Sequence, residues 1–303
     1  MSRRTKRLLL MPHIIVHNAN AFSSPFTIGF PAMTAWLGAT HALQRKLNVD
    51  GFGELKFKAT GVVSHKANLQ THKGVGDYVH SIIGTSNPLD KEGSRPAFIE
   101  EARCHLEVSL VVEYDGLDID DKERFLERVS HHLRSRMKIA GGDIFGFQKL
   151  DTFVVSQADE KELFRIRRRL MPGYTIVERS DLMIEAMENG ADAMDALLDY
   201  VSIHNSCEEH GDEDDNEKKV IWTKKRKATG WIVPIAIGFQ GISELEKAKN
   251  QRDENTPHRF AESVVTLGEF KMPYNIESID EILWRYSYDE EKSLYLCEQK
   301  NNI

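Results

Sequence analysis

Between Arg103 and Val112 apolar and polar side chains change places at every residue, with Cys104, Leu106, Val108, Leu110 and Val112 on one parity and Arg103, His105, Glu107 and Ser109 on the other. A period of two fits a β-strand with one face on a core and one on polar surroundings, so the chain must build at least one sheet. Leu8 to Val16, rich in Leu, Ile and Val, reads as a second strand, buried on both faces. Leu55, Phe57, Ala59 and Gly61 alternate with Lys56, Lys58 and Thr60, a third strand with one wet face, and Phe153 to Val155 supplies a fourth.

Two helices fall between these strands. Met33, Trp36, Leu37, Leu43 and Leu47 recur at helical spacing, with Pro31 suited to a first turn and Asn48 to Gly53 acting as the breaker. Phe125, Leu126, Val129, Leu133 and Met137 form a second stripe, preceded by Asp118, Asp120 and Asp121 as cap and dipole partners and followed by Gly141 and Gly142 as the stop. The order strand, helix, strand, strand, helix, strand over residues 1–158 is that of a ferredoxin-like fold: α+β, an antiparallel sheet with two packed helices.

The remainder predicts additions to that core. Residues 64–100 read as a polar, glycine-containing connection, and residues 159–206 as a helical insertion, with Leu163, Phe164, Ile166, Leu170, Met183, Met187, Met194, Leu197 and Leu198 as its apolar positions. The methionines are a core stripe on this reading. Residues 207–219 are an acidic mobile loop too poor in apolar groups to fold alone. Residues 220–303 are a C-terminal extension returning to the core, with an apolar run at Trp231–Phe239, a mixed stretch at Pro257–Phe270, a short helix over Ile276–Tyr286 and a strand at Ser293–Cys297.

Composition excludes several classes. At 303 residues and 41% hydrophobic side chains the chain can bury a full core, yet no stretch reaches the roughly 20 apolar residues needed to span a bilayer. Arg3, Arg4, Lys6 and Arg7 ahead of an apolar run imitate a signal peptide, but no small-residue cleavage site follows. Three distant cysteines, Cys104, Cys207 and Cys297, make no disulfide framework, which fits a reducing cytoplasm. The net charge of −7 is local: without the seven acids between Glu208 and Glu217 the chain holds 40 acidic and 40 basic side chains, so a basic groove remains compatible with it.

The chemistry-bearing clusters each carry two readings. The loop from Asn18 and Asn20 through Ser23 and Ser24 to Pro25 offers donors and acceptors to bases and phosphates, and its residue types equally make a capped turn. Gly141 and Gly142 beside Lys138 suit a phosphate nest or a plain helix stop. Lys161, Arg165, Arg168 and Arg169 make a basic helix face that neutralises phosphates or is merely solvated, and Lys224 to Lys227 sit close enough to the acidic run to be screened by it. His204, Cys207 and His210 have metal-ligand types at suitable spacing but no second pair to complete four ligands, so no metal is expected. Twelve histidines, His131 and His132 among them, come without a nucleophile motif, a carboxylate pair or a phosphate loop, so neither a catalytic site nor a cofactor is expected.

An ordered set of segments adds to this. Asn18-Ala19-Asn20-Ala21-Phe22-Ser23-Ser24-Pro25, Gly29-Phe30-Pro31, His41-Ala42-Leu43-Gln44-Arg45, Glu100 to Arg103 with His105 to Ser109, Ala140-Gly141-Gly142, Leu170 to Gly173, Gly230 to Pro234, Thr256-Pro257, Arg259-Phe260 and Leu283-Trp284 together resemble the second Csy subunit of type I-F CRISPR systems, a Cas-five-like RAMP protein. The resemblance spans nearly the whole chain. It implies a ferredoxin-like fold with a helical insertion, no nuclease activity, and a place at the foot of a crescent-shaped ribonucleoprotein. Its partners would be the 5′ handle of the crRNA, the large Csy subunit as heterodimer mate and a neighbouring backbone subunit, with target DNA nearby and no membrane. RNA contacts carry over at Asn18, Asn20, Ser23, Ser24, Arg103, Gly141 and Gly142; Arg95 is added from its charge and position. Residues 68–86 and 208–217 match no family position, and no site is assigned there. An RNA-processing endoribonuclease of the same fold, with His41 as its candidate base, and a pure protein scaffold are the competing readings.

Overall fold

The apolar run near the N-terminus belongs to a 16-residue strand, β1 (Thr5–Asn20), whose sequence changes parity twice. Leu9 and Met11 face inward, then Ile14 and Val16, then Ala19 and Ala21. A flat strand cannot bury all six on one face. Two bulges resolve the conflict, as the pairing register slips between Met11 and Ile14 and again between Val16 and Ala19. His13 (φ 50°) and Asn18 (φ 57°) take the left-handed backbone at these slips, and Pro12 sits in the first bulge, where a missing N–H is tolerated.

In this computed structural model the described residues are 5–83, 89, 91–94, 101–118, 120–156, 160–210, 219–249, 251, 253 and 255–299. After β1 come β2 (Phe22–Ser24), β3 (Thr27–Ile28), α1 (Met33–Val49), β4 (Lys56–Leu69), β5 (Thr71–His72), β6 (Ser81–Ile82), β7 (Arg103–Asp115), α2 (Lys122–Ser135), β8 (Lys138–Ile139), β9 (Gly142–Gly146), β10 (Asp151–Ser156), α3 (Glu160–Leu170), β11 (Tyr174–Glu178), α4 (Ser180–Glu188), α5 (Ala193–Val201), β12 (His204–His210), β13 (Lys219–Lys225), β14 (Ile232–Gly241), β15 (Ala261–Lys271), β16 (Trp284–Asp289) and β17 (Leu294–Gln299), with 3-10 turns at Pro273–Asn275 and Ile279–Ile282. The class is α+β: a large antiparallel sheet with five α-helices among the described residues. The sheet runs β11-β15-β14-β17-β16-β4-β7-β1-β9-β8, with β10 also on β1 and β11 also on β4, so the C-terminal strands close against β4.

Both faces of the central strands are covered at one end. On one face α1 and α2 lay Met33, Trp36, Leu37, Phe125, Val129 and Leu133 against Leu9, Met11, Val108 and Leu110. On the other, Ile166 and Leu170 of α3 and the turn residues Ile279 and Ile282 cover Leu8, Leu10, Val111 and Phe153. Helices α4 and α5 pack Leu182, Met183 and Leu197 on Ile232 and Leu267. Each fully buried Leu, Ile or Phe contributes about 1.5–3 kcal/mol. The second face loses its cover toward the end of β1, the start of β7 and the end of β4, where Asn18, Asn20, Lys66 and Asn68 are exposed.

The structure departs from sequence expectation at six places. Pro31 precedes the cap Ala32 and accepts a hydrogen bond from Trp36 Nε1 (3.1 Å) instead of lying in the first turn. Helix α2 ends at Ser135, well before Gly141, which with Ala140 turns the β8–β9 hairpin, and Gly142, which opens β9. Strand β4 runs on to Leu69, inside the stretch expected to be a connection, because its polar end still pairs with β7. Tyr174–Glu178 is a sheet strand within the stretch expected to be helical. At Ile276–Tyr286 the spacing of Ile279 and Ile282 serves a 3-10 turn and Trp284 onward is strand, because β17 offers it a ladder. Residues 204–210 and 219, expected in the helical insertion and the acidic loop, are strand, because β12 and β13 pair as a separate hairpin; residues 211–218 between them lie outside the described residues. Among the described residues no helix is long and apolar enough to cross a membrane.

Candidate nucleic-acid interface

The uncovered end of the sheet gathers side chains from four strands. In β7 the even positions face the helices, so Arg103, His105 and Glu107 line the open face, with the fully buried Ser109 beneath it. In β1 the first bulge puts Ile14 and Val16 inward and therefore His17 outward. The His17 ring stacks on Phe145 of β9 at 4.2 Å between centroids and lies 4.6 Å from the His105 ring. Phe145 is 69% exposed, so three adjacent rings form an aromatic shelf open to solvent.

Polar groups frame the shelf. Gln70 Nε2 donates to Asn18 Oδ1 (2.7 Å) and lies 3.2 Å from His105 Nε2, while the Asn18 N–H donates to His105 Nδ1 (3.3 Å). The Arg103 guanidinium pairs with Glu101, reaches the Asn18 carbonyl (3.5 Å) and passes beside Gly141, whose φ of +75° suits a residue without Cβ. The Asn20 N–H donates to Ala140 O (2.8 Å), fixing the β8–β9 turn to the end of β1. Lys66, on β4, is exposed beside them and pairs with Glu107 (3.3 Å).

A second histidine pair lies deeper on the same face. The rings of His13 and His65 stack at 4.0 Å. His13 Nδ1 lies 2.7 Å from Glu107 Oε1; a carboxylate only accepts, so His13 donates, and this bond, with Lys66, holds the Glu107 carboxyl below its ordinary range. His65 Nδ1 is 2.5 Å from the Pro172 carbonyl and Nε2 is 2.6 Å from Ser109 Oγ. The carbonyl fixes Nδ1 as the donor, so neutral His65 accepts from Ser109 at Nε2, and Ser109 Oγ in turn accepts the His13 N–H (3.0 Å). Burial pushes the His65 pKa down, in keeping with a neutral ring. These acid–base groups are spent on one another and anchor the shelf from below.

The family described as CRISPR-associated protein (Cas_Csy2) matches residues 9–297. The chain belongs to that family. It is 33% identical over 309 residues to the CRISPR-associated protein Csy2 of Pseudomonas aeruginosa (strain UCBPP-PA14), an alignment covering 95% of this chain and 94% of the relative. The matched span includes β1 from Leu9 onward and the whole of β4, β7 and β9, and hence every strand that contributes to the shelf.

Of the residues singled out in the sequence, Asn18, Arg103 and Gly141 meet at the shelf's edge, and Asn20 and Gly142 hold its backbone. The Asn20 side chain is spent locally, its Oδ1 accepting the Phe22 N–H (3.0 Å) and its Nδ2 donating to Phe22 O (3.1 Å). Ser23 and Ser24 bond to Thr27 at 2.8 and 2.7 Å, and Ser24 is buried, so these hydroxyls cap the β2–β3 turn. Arg95 lies outside the described residues. On α3, Arg165 pairs with Glu162 and Arg169 with Asp151. His41 stands exposed on α1, on the wall of a cleft of about 540 Å³ shared with Tyr286 and Tyr295 and away from the shelf. Sequence reasoning missed His17, His105, Phe145 and Gln70. The signal for His105 was its polar parity in β7; nothing local could tie Phe145 to His17, which are partners only through β1–β9 pairing.

Proposed function

We propose that this chain is the non-catalytic guide-RNA-binding subunit of a type I-F CRISPR interference complex, holding the 5′ handle of the crRNA on the open end of its sheet together with the large Csy subunit. The observation that carries the reading is the shelf of His17, His105 and Phe145 framed by Asn18, Gln70 and Arg103 in a member of the Csy2 family. Single-stranded RNA presents unstacked bases and 2′-hydroxyls; exposed rings stack on the former, and amides and a guanidinium bond the edges and the backbone. Contacts of this kind fix where the spacer begins, and target recognition is left to guide pairing.

The ferredoxin-like, RAMP-type reading of the core is supported by the order β4-β7-β1-β10, all antiparallel, with α1 and α2 on one face. The non-catalytic reading rests on His13, Glu107, His65 and Ser109 being bonded to one another, which leaves none of them poised toward a scissile 2′-hydroxyl. A neighbouring backbone subunit and target DNA adjoin this chain in the cytoplasmic complex. The test is purification of the tagged chain from its host, with sequencing of the bound RNA ends and identification of co-purifying proteins. Short RNAs sharing one 5′ sequence, together with a large partner, are expected; that partner without RNA would replace the reading by a protein scaffold, and repeat-RNA cleavage by the pure chain, lost in His41→Ala, by an endoribonuclease.

A further inference from the structure

On the opposite side of the molecule from the shelf, the C-terminal turns of α1 and α2 enclose a cleft of about 370 Å³ whose walls carry Arg45, Lys46, Asp50, His132 and Arg136. Its one carboxylate is already committed. Asp50 Oδ2 accepts from Arg128 at 2.8 Å (Nε) and 2.6 Å (NH2) and from His132 Nε2 at 2.6 Å, and the Arg128 bond, with His132, holds its pKa down. Asp50 thus fixes the imidazole without neutralising the rim.

One observation points to a ligand. Arg45, Lys46 and Arg136 have no carboxylate partner among the described residues, whereas Lys58, Lys138, Arg165, Arg179 and Lys227 each have one. His132 Nδ1 is buried and does not reach the cleft, and its Nε2 is committed to Asp50, so the rim's charge comes from the three cations alone. The opposing term is the dipole: two helix C-termini bring about −0.5 charge each. Three uncommitted cations exceed that, so the cleft is net positive.

We infer that this α1–α2 cleft is an anion site for a phosphate group, separate from the RNA-binding shelf. The guanidiniums of Arg45 and Arg136 suit bidentate contact to phosphate oxygens and Lys46 adds a point charge. The phosphate comes either from a small phosphate ester or from the backbone of nucleic acid passing over the helices.

The test uses the full chain. Inorganic phosphate is titrated calorimetrically against chloride at matched ionic strength, in the native protein and in the triple variant Arg45→Gln, Lys46→Gln, Arg136→Gln. Saturable phosphate binding that weakens about tenfold or more in the variant is expected, since each charge contact is lost. Absence of phosphate-specific binding, or undiminished binding in a folded variant, overturns the inference. A short DNA duplex forms the second arm: a lower affinity and a shallower salt dependence in the variant assign the phosphate to a nucleic-acid backbone, and an unchanged duplex affinity assigns it to a small ester. Handle-RNA affinity is measured in parallel with Phe145→Ala. That substitution should leave phosphate binding intact, so failure at the shelf and failure at the cleft are distinguishable.

Discussion

Replacing Gly142 by alanine places a methyl group 2.7 Å from the His17 carbonyl oxygen, 2.7 Å from Val16 Cγ1 and 2.8 Å from the Ala19 nitrogen. Two of these are backbone atoms at the second bulge of β1, so no rotamer change relieves the contact and β9 itself must move. Forced overpacking of this kind costs about 1–3 kcal/mol. Gly146, at the other end of β9, is the control, because a Cβ there meets nothing within 4 Å; its alanine variant should fall within about 0.5 kcal/mol of the native chain. Urea unfolding of the two variants measures the difference. The same displacement separates Phe145 from His17, now stacked at 4.2 Å, so Gly142→Ala should also weaken handle-RNA binding while Gly146→Ala does not. Equal stability of the two variants would refute the claim that close approach of β9 to the bulge requires glycine at 142.

Phe145→Ala should leave the unfolding free energy nearly unchanged, since the ring is mostly exposed, but lower affinity for handle RNA by the value of one stacked base, about 1–3 kcal/mol; fluorescence anisotropy with the labelled handle reads this, and full affinity would remove the ring from the interface. The folded-state pKa of His65 lies below its ordinary 6.5, so its contribution to stability is complete above pH 6.5 and is lost as pH falls through the folded value; Glu107, depressed from 4.5, adds a second loss below that. Unfolding measured from pH 7.5 downward should show both steps, and His65→Gln should lack the first. Asn18→Gly keeps the left-handed backbone at φ 57° and deletes the amide bonded to Gln70, so it should reduce RNA affinity with little change in stability, whereas Asn18→Ala adds roughly 1–2 kcal/mol of backbone strain; equal stabilities of the two would contradict the bulge geometry.

The central strands were legible because burial follows parity: the alternation at Arg103–Val112 became β7, with Leu106 and Val108 inward and His105 and Glu107 outward. In the C-terminal stretch the apolar runs at Trp231–Phe239 and Ser293–Cys297 fall on β14 and β17. The misread elements are those whose state depends on a distant partner. Tyr174–Glu178 is strand because β15 and β4 flank it, and Trp284–Asp289 because β17 pairs with it; neither carries an alternation long enough to outvote the helical spacing around it. At the site the sequence offered Asn18, Arg103 and Gly141 but not the rings of the shelf, whose contacts join residues of β1, β7 and β9 that are remote in the chain.

The two parity changes of β1 connect fold to function. Starting from Leu9 and Met11, an uninterrupted strand would turn His13, Ile15 and His17 into the core and expose Ile14 and Val16. Burying two imidazoles there without partners would cost more than the bulges do, because an unpaired buried polar group costs about 1–3 kcal/mol and a residue such as His or Asn enters the left-handed region comparatively easily. The first bulge therefore returns Ile14 and Val16 to the core and puts His13 against Glu107 and His17 against Phe145. The second restores the original parity for Ala19 and Ala21 and leaves Asn18 at the crest, where its amide meets Gln70. The hydrophobic demand of the core thus assembles the polar and aromatic face: His17, which a regular strand would have hidden, becomes part of the shelf.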